Sequence, residues 1–276
     1  MALTQTIPMA RPRRHDIFGV RVSATSYAEV IAWCLDRAAQ DKGGIIDLMP
    51  VHGLISAARD EKYRTVMNAF DVIAPDGQPV RWALNKFHKA NLTDRVYGPE
   101  LTIRLCGAAA EAGVPIYLYG SSPEVIELLK TNLVAKYPKL NIVGAESPPF
   151  RPLTPAEDAE VIERINSSGA KLVFLGTGCP KQELFAYNHR HSIHGVQLCV
   201  GAAFDFHAGK KKIAPAWMQK RGLEWVYRLC SEPKRLWKRY LVTNSIFVML
   251  AMKEMLRGKK GSTAIMDDEV ESLAAE

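Results

Sequence analysis

The chain has 276 residues, 47% hydrophobic and 24% charged, with a formal net charge of +7. That size and balance suit one globular body with an appendage, and they exclude both a disordered chain and a miniprotein that needs staples. Five cysteines (Cys34, Cys106, Cys179, Cys199, Cys230), odd in number, scattered and without a C-x-x-C pair, argue against disulfides and a zinc site and favour a reducing compartment.

The N-terminal "MALTQTIPMARPRRHDIF" is basic but leads into no apolar h-region, so it does not read as a signal peptide. No apolar run approaches the roughly 20 residues that cross a bilayer. A cytoplasmic protein is expected. From about residue 20 to 208, short apolar strands alternate with helical patterns. "GIIDLM" (44–49) reads as a strand, followed by a helix through Leu54, Ile55 and Ala58. "DVIAPDG" (71–77) is a strand ending in a turn, with a helix from Pro79 to Lys86. "GPELTIRLCGAAAEAG" (98–113) is a helix with Pro in its first turn and Gly after its last. "PIYLYG" (115–120) is a strand, and "SPEVIELLKTNLVAKY" (122–137) a helix capped by Ser122. Strands at 140–144, 170–176 and 195–201 continue the series, separated by helices at about 155–168 and 180–191. Such alternation implies βαβ crossovers: a Rossmann-like α/β fold with a mostly parallel sheet flanked by helices.

Ligands of parallel sheets bind beyond the carboxyl ends of the strands. The loops at those ends are Asp76-Gly77, Tyr119-Gly120-Ser121-Ser122, Gly176-Thr177-Gly178, Gly201 and, in the first strand, Asp47, and all should converge on one rim. In "LVFLGTGCPKQE" (172–183), Lys181 stands where a dinucleotide fingerprint needs its third glycine, and the spacing is not that of a P-loop. What remains is a helix start with Pro180 at its first position, suited to an anion, with Lys181 adding charge and Gln182 a donor. Taken alone, the same residues read sooner as a plain strand-to-helix turn with Lys181 in solvent. Asp76 in "APDGQP" is a candidate general base or simply an Asp-Gly turn. Asp205 in "GAAFDFHAG" is a candidate partner for a base or ribose, or a core turn. "HRHSIH" (189–194) has no acid or thiol close in sequence and reads as solvated histidines rather than a metal site. No Asp-x-Asp pair is present to clamp a metal–diphosphate.

Beyond residue 208 the pattern changes. Between Lys210 and Lys260 stand 14 Lys or Arg against three acids (Glu224, Glu232, Glu254), a balance of +11, so the rest of a +7 chain carries −4. Helices broken near Gly222 and Pro233 place Trp225, Leu229, Leu236, Trp237, Tyr240, Leu241, Phe247 and Val248 on one face. Aromatic residues beside a cationic face suit a helix lying in a membrane interface. Packing of the same stripe on the domain, with solvated charges, is the other reading. The organisation expected is a catalytic domain at 15–209, a basic helical appendage at 210–260 and a disordered tail at 261–276.

Together, "APDG", "LYGSSPEVIELLKTNLVAKYPKLNIVG", "FLGTGCPKQE" and "GAAFDFHAGKKKIAPAWMQKRGLEWVYRLCSEPKRLWKRYL" closely resemble the WecG/TagA/CpsF family of bacterial glycosyltransferases, over about residues 15–250 and in the family's order. The resemblance implies transfer of a sugar, with inversion, from a UDP-sugar to a polyprenyl-diphosphate-linked sugar at the cytoplasmic membrane face. It implies no cofactor and no metal, a peripheral location on anionic inner-membrane lipids, and no nucleic-acid partner. It places the catalytic base at Asp76, beside Gly77. Arg95 in "DRVYG" matches a donor contact, Gln182 the Gln of P-K-Q-E, and Asp205 the acid facing the uridine. Tyr119 and Gly120 lie beside the nucleotide, and Gly176, Lys181 and Gly201 complete the donor site. Arg228, Arg235 and Arg239 suit the acceptor diphosphate or leaving UDP.

Many relatives carry Thr-x-Asn where this chain has Asp47-Leu48-Met49. That departure makes Asp47 a second candidate for the base or a reader of the donor sugar. It points to a hexose or N-acetylhexosamine in exopolysaccharide or surface-polysaccharide synthesis, with an N-acetylmannosamine transferase as the alternative. An epimerase or dehydrogenase is disfavoured because no Gly-x-Gly-x-x-Gly opens an N-terminal unit. A non-catalytic basic membrane-binding module is the rival from another class.

Overall fold

The computed structural model describes residues 10–256. Its centre is a six-stranded parallel sheet of β3 (Gly44–Met49), β4 (Val72–Pro75), β5 (Ile116–Gly120), β6 (Ile142–Glu146), β7 (Leu172–Gly176) and β8 (Val196–Cys199), in the order β4-β3-β8-β7-β5-β6. All six are the strands expected from the apolar runs. A preceding hairpin, β1 (Arg14–Ile17) and β2 (Val20–Ser23), was not among those expectations.

Side chains alternate across the sheet, as the strand period of two requires. Ile46, Leu48, Leu118, Phe174 and Leu198 face one core with helices α1 (Tyr27–Ala39), α5 (Gly98–Ala112), α6 (Pro123–Lys136) and α9 (Ala203–His207). Ile45, Met49, Ile73, Tyr119 and Leu175 face the other with the hairpin and α2 (Val51–Arg59), α3 (Glu61–Asn68), α4 (Gln78–His88), α7 (Pro155–Ser167) and α8 (Lys181–Asn188). Burial on both faces is why these strands read as unbroken apolar runs. Local signals set the helix ends. Ser122 accepts from the Val125 amide as an N-cap, and Ser26 and Thr154 close full capping boxes with Glu29 and Glu157.

Three helices follow α9: α10 (Ala216–Lys220), α11 (Glu224–Ser231) and α12 (Pro233–Leu256). The breaks fall at Gly222 and Pro233 as expected. The single apolar stripe divides in two. Leu236 is buried and Phe247 meets Phe18 of the hairpin turn edge-on at 5.7 Å, with α12 packed along α2. Trp237, Leu241, Val248, Met252 and Met255 recur at helical spacing on a different, exposed face. The helix thus has one apolar face packed on the domain and another turned outward. The tail expected at 261–276 lies outside the described residues.

Loops leaving the parallel strands gather at one rim. β5 continues to β6 on one side and β7 to β8 on the other, so the connections diverge between β5 and β7. Such a divergence opens a crevice at the strand ends. There the two backbones nearly touch: a Cβ on Gly120 (φ +141°) would lie 2.5 Å from the Gly176 carbonyl carbon. We expect Gly120→Ala to destabilise the protein by about 2 kcal/mol or more, from strain and overpacking. A thermal melt checks this, and an unchanged midpoint would contradict the close approach.

Candidate active site

A cleft of about 660 Å³ lies between the sheet rim and the appendage. The body contributes Asp76, Gly77, Arg95, Gln182 and Gly201, and the appendage Glu224, Arg228, Arg235 and Arg239. Nine residues far apart in sequence thus share one wall-and-roof arrangement, eight of them among the sequence candidates.

Asp76 follows directly on β4. Its backbone amide donates to the Met49 carbonyl at 3.1 Å, fixing the turn to the end of β3, and its carboxylate Oδ1 accepts from the Gly98 amide at 3.0 Å. Burial pushes its pKa up to about 6, opposed by Arg95 and reinforced by Glu224. A carboxylate there accepts a proton more readily than an ordinary one.

Arg95 is buried in the loop before α5. Its Nη2 donates to the Glu224 carboxylate, its Nη1 donates to the Asp76 carbonyl at 3.2 Å, and its guanidinium lies 4.3 Å from the Tyr97 ring centre. Glu224, in the first turn of α11, is itself buried. The guanidinium therefore joins body to appendage.

The Gly176–Glu183 segment works differently from its sequence reading. Pro180 is the N-cap, not the first helical residue, and Lys181 is exposed outside the cleft. Gln182 is buried, and its Oε1 accepts from the amides of Gly178 (3.2 Å) and Gly201 (3.0 Å). Its Nε2 donates to Glu183 Oε1 at 2.9 Å. Gln182 thus ties the loops after β7 and β8 together, and the Gly178 amide is spent on that clamp.

Beneath the clamp, Asp47 and Glu183 are buried side by side, 2% and 3% exposed. Asp47 Oδ1 and Glu183 Oε2 have no other hydrogen-bond partner. Burial, then the charges of Glu183 and Asp76, raises the Asp47 pKa far above the carboxylate range, and burial raises Glu183 as well. A proton shared between the two carboxyls would satisfy both oxygens. Asp47 lies beneath the cleft floor and, unlike Asp76, does not line the cleft.

The roof is cationic. Neither Arg228 nor Arg239 forms an ion pair among the described residues, and Arg239 Nε is buried without a partner. Burial lowers the Arg239 pKa, countered by Tyr240 and deepened by Arg228 and Arg235. Arg235 pairs with Glu232. His52, on the facing helix α2, is held neutral, its pKa driven to about 3 by burial and by Arg239 and Arg228. A cluster of unpaired cations beside a neutral imidazole is a site for a multiply charged anion.

Tyr119, Gly120, Gly176 and Asp205 do not line this cleft. Tyr119 stacks on Phe185 in the core, 5.1 Å between ring centres. Gly120 and Gly176 form the crevice between β5 and β7, where Ser121, held at φ 59°, donates from Oγ to Asp205 Oδ1 at 3.3 Å. Asp205 also pairs with Lys211 at 2.8 Å. Two carboxylates here escaped the sequence reading: Glu183, inside a quoted motif, and Glu224, counted only as a charge. The histidine run also needs correction. His189 is buried, 3.2 Å from Asp158 and edge-on to Phe185, because α7 brings an acid from distant sequence. His191 and His194 are exposed. Among the described residues no group of three or more His, Cys, Asp or Glu is placed to hold a metal ion.

A family model described as glycosyl transferase WecG/TagA/CpsF family matches residues 15–261. The match takes in the sheet, the cleft and all three appendage helices.

The acid pair has a consequence for stability. Asp47 keeps its proton in the folded protein above its ordinary value of 3.8, where the unfolded chain has lost it. Stability associated with this group is full below that pH and falls as pH rises through the folded value. Asp47→Asn, whose amide still donates to Glu183, is expected to unfold at higher urea than the parent at pH 7 and to show a shallower loss between pH 4 and 7. Identical pH slopes would remove the shared proton.

Proposed function

Because the chain belongs to the WecG/TagA/CpsF glycosyltransferases, we propose that it moves a hexose or N-acetylhexosamine, with inversion, from a UDP-sugar to a polyprenyl-diphosphate-linked sugar, in exopolysaccharide or surface-polysaccharide synthesis. The observation carrying this reading is a carboxyl of raised basicity, Asp76, set opposite two arginines that form no ion pair among the described residues, Arg228 and Arg239. In one displacement the acceptor hydroxyl oxygen attacks the anomeric carbon while its proton passes to the Asp76 carboxylate. The anomeric C–O bond to UDP breaks with its electron pair, and Arg228 and Arg239 hold the charge that develops on the diphosphate. This assignment uses no metal or cofactor. Inversion follows from the single displacement on the face opposite the leaving group.

The crevice at Gly120 and Gly176, with Ser121 and Asp205, suits the nucleoside, since it lies where the strand connections diverge. Gly178 and Gly201, joined by Gln182, lead from there toward the arginines. Gln182 then acts by positioning backbone, with its remaining amide hydrogen free for the donor sugar. Lys181 has no part in this path.

The same reading sets the protein against anionic lipid. No described helix is long and apolar enough to cross a membrane. Trp237, Leu241, Val248, Met252 and Met255 form an exposed face on α12, with Trp217 and Trp225 exposed nearby and Lys234, Arg235 and Lys238 flanking. Such a face suits an interfacial helix.

Release of UDP from a UDP-sugar only when a polyprenyl-diphosphate sugar is present tests the reaction; turnover indifferent to the lipid acceptor would refute it. Asp76→Asn is expected to lower kcat by about 10²–10⁴-fold while UDP still binds. For the membrane, paired Trp237→Ala and Leu241→Ala should weaken binding to anionic liposomes by about tenfold or more. Sedimentation unchanged from the parent would count against the docking face.

A further inference from the structure

Arg95 has two carboxylates within its reach and a buried position that demands one. Its Nη2 is given to Glu224, and it touches Asp76 only at the main-chain carbonyl. The Asp76 carboxylate is held instead by a neutral donor, the Gly98 amide. Glu224 comes from the appendage, and the helix bearing it, α11, also carries Arg228.

We infer that Glu224 is a positioning residue for the base: by engaging the Arg95 guanidinium it keeps Asp76 free of an ion pair, so a docked appendage is what makes Asp76 able to take a proton. The inference rests on Asp76 being the base of the proposed transfer. With Glu224 withdrawn, the buried guanidinium would have Asp76 as its nearest carboxylate, and an ion-paired carboxylate is a weak base.

The groups facing Asp76 come from every element around it. Arg95 and Tyr97 stand on the loop before α5, Glu224 and Arg228 on α11, Asp47 on β3 and Tyr27 on α1. Burial raises the Asp76 pKa, Arg95 and Arg228 lower it, and Glu224 raises it. Loss of the Glu224 charge and a swing of Arg95 to Asp76 both act downward. The arrangement couples chemistry to docking: the segment that supplies the arginines for the leaving group also sets the basicity of the acid on the opposite wall.

The test is a carboxyl-carbon NMR titration of Asp76 in the full chain, assigned by difference from Asp76→Asn, alongside the pH profile of kcat/KM. In the parent the midpoint is expected near pH 6. Glu224→Gln should move it down by about one pH unit, taking the acid limb of the profile with it. Glu224→Asp, which keeps the charge, should restore both. Fluorescence of the neighbouring Trp225 reports whether α11 stays docked. An unmoved midpoint in a docked Glu224→Gln protein overturns the inference. If Glu224→Gln does not fold, the parent decides: a midpoint in the ordinary carboxylate range overturns the inference, and one near 6 supports it. The titration needs no substrate, so absence of sugar transfer would defeat the proposed reaction without touching this result.

Discussion

The burial of one guanidinium organises this molecule. A cation removed from water costs several kcal/mol unless anionic and polar groups surround it. Arg95 meets that demand with a carboxylate from the appendage, a main-chain carbonyl from the loop after β4 and the face of Tyr97. Because the carboxylate and the carbonyl belong to different parts of the chain, satisfying the charge fixes α11 against the sheet rim. Apolar contacts farther along, α12 on α2 and Phe247 on Phe18, then hold the longer helix in place. The cleft is the space left between these two attachments.

Its two walls have opposite electrostatics. The floor holds Asp76 and, beneath it, the Asp47–Glu183 pair, while the roof holds Arg228, Arg235 and Arg239. Burial raises the carboxyl pKa values on one side, and on the other Arg228 and Arg239 form no ion pair among the described residues. A substrate with hydroxyls at one end and a diphosphate at the other suits that polarity. His52, kept neutral by burial and then by Arg239 and Arg228 beside it, is polar without adding to the positive charge.

Most of the sheet was legible in the sequence because its strands are buried on both faces and read as plain apolar runs. The hairpin was not: "RHDI" and "VRVS" each mix polar with apolar residues over only four positions. Residues whose job is set by backbone geometry were also legible. Asp76 and Gly201 stand at strand ends, where ligands of parallel sheets gather. What failed were partnerships made across the fold. Nothing near Glu224 in sequence announces Arg95, 129 positions away, and nothing near Asp47 announces Glu183. Even so, an acid replacing a hydroxyl in a strand of apolar neighbours was a signal that it must share or lose its charge. In the motif ending at Glu183 the charged Lys181 points to solvent, whereas the amide of Gln182 reaches inward to the loops after β7 and β8.

Val248 carries the argument one step further, because it belongs both to the cleft lining and to the exposed face of α12. The cleft therefore opens beside the face proposed to meet lipid, not on the far side of the domain. In the reading proposed above, an acceptor held in a membrane by its polyprenyl chain would enter from that mouth with its sugar hydroxyl directed inward toward Asp76, while Arg228 and Arg239 face the leaving UDP. Docking, leaving-group stabilisation and base strength then converge on one short run of chain, from Glu224 to Val248. A substitution there that loosens the appendage should impair all three together, whereas a change confined to the floor, such as one at Asp47, should leave lipid binding intact.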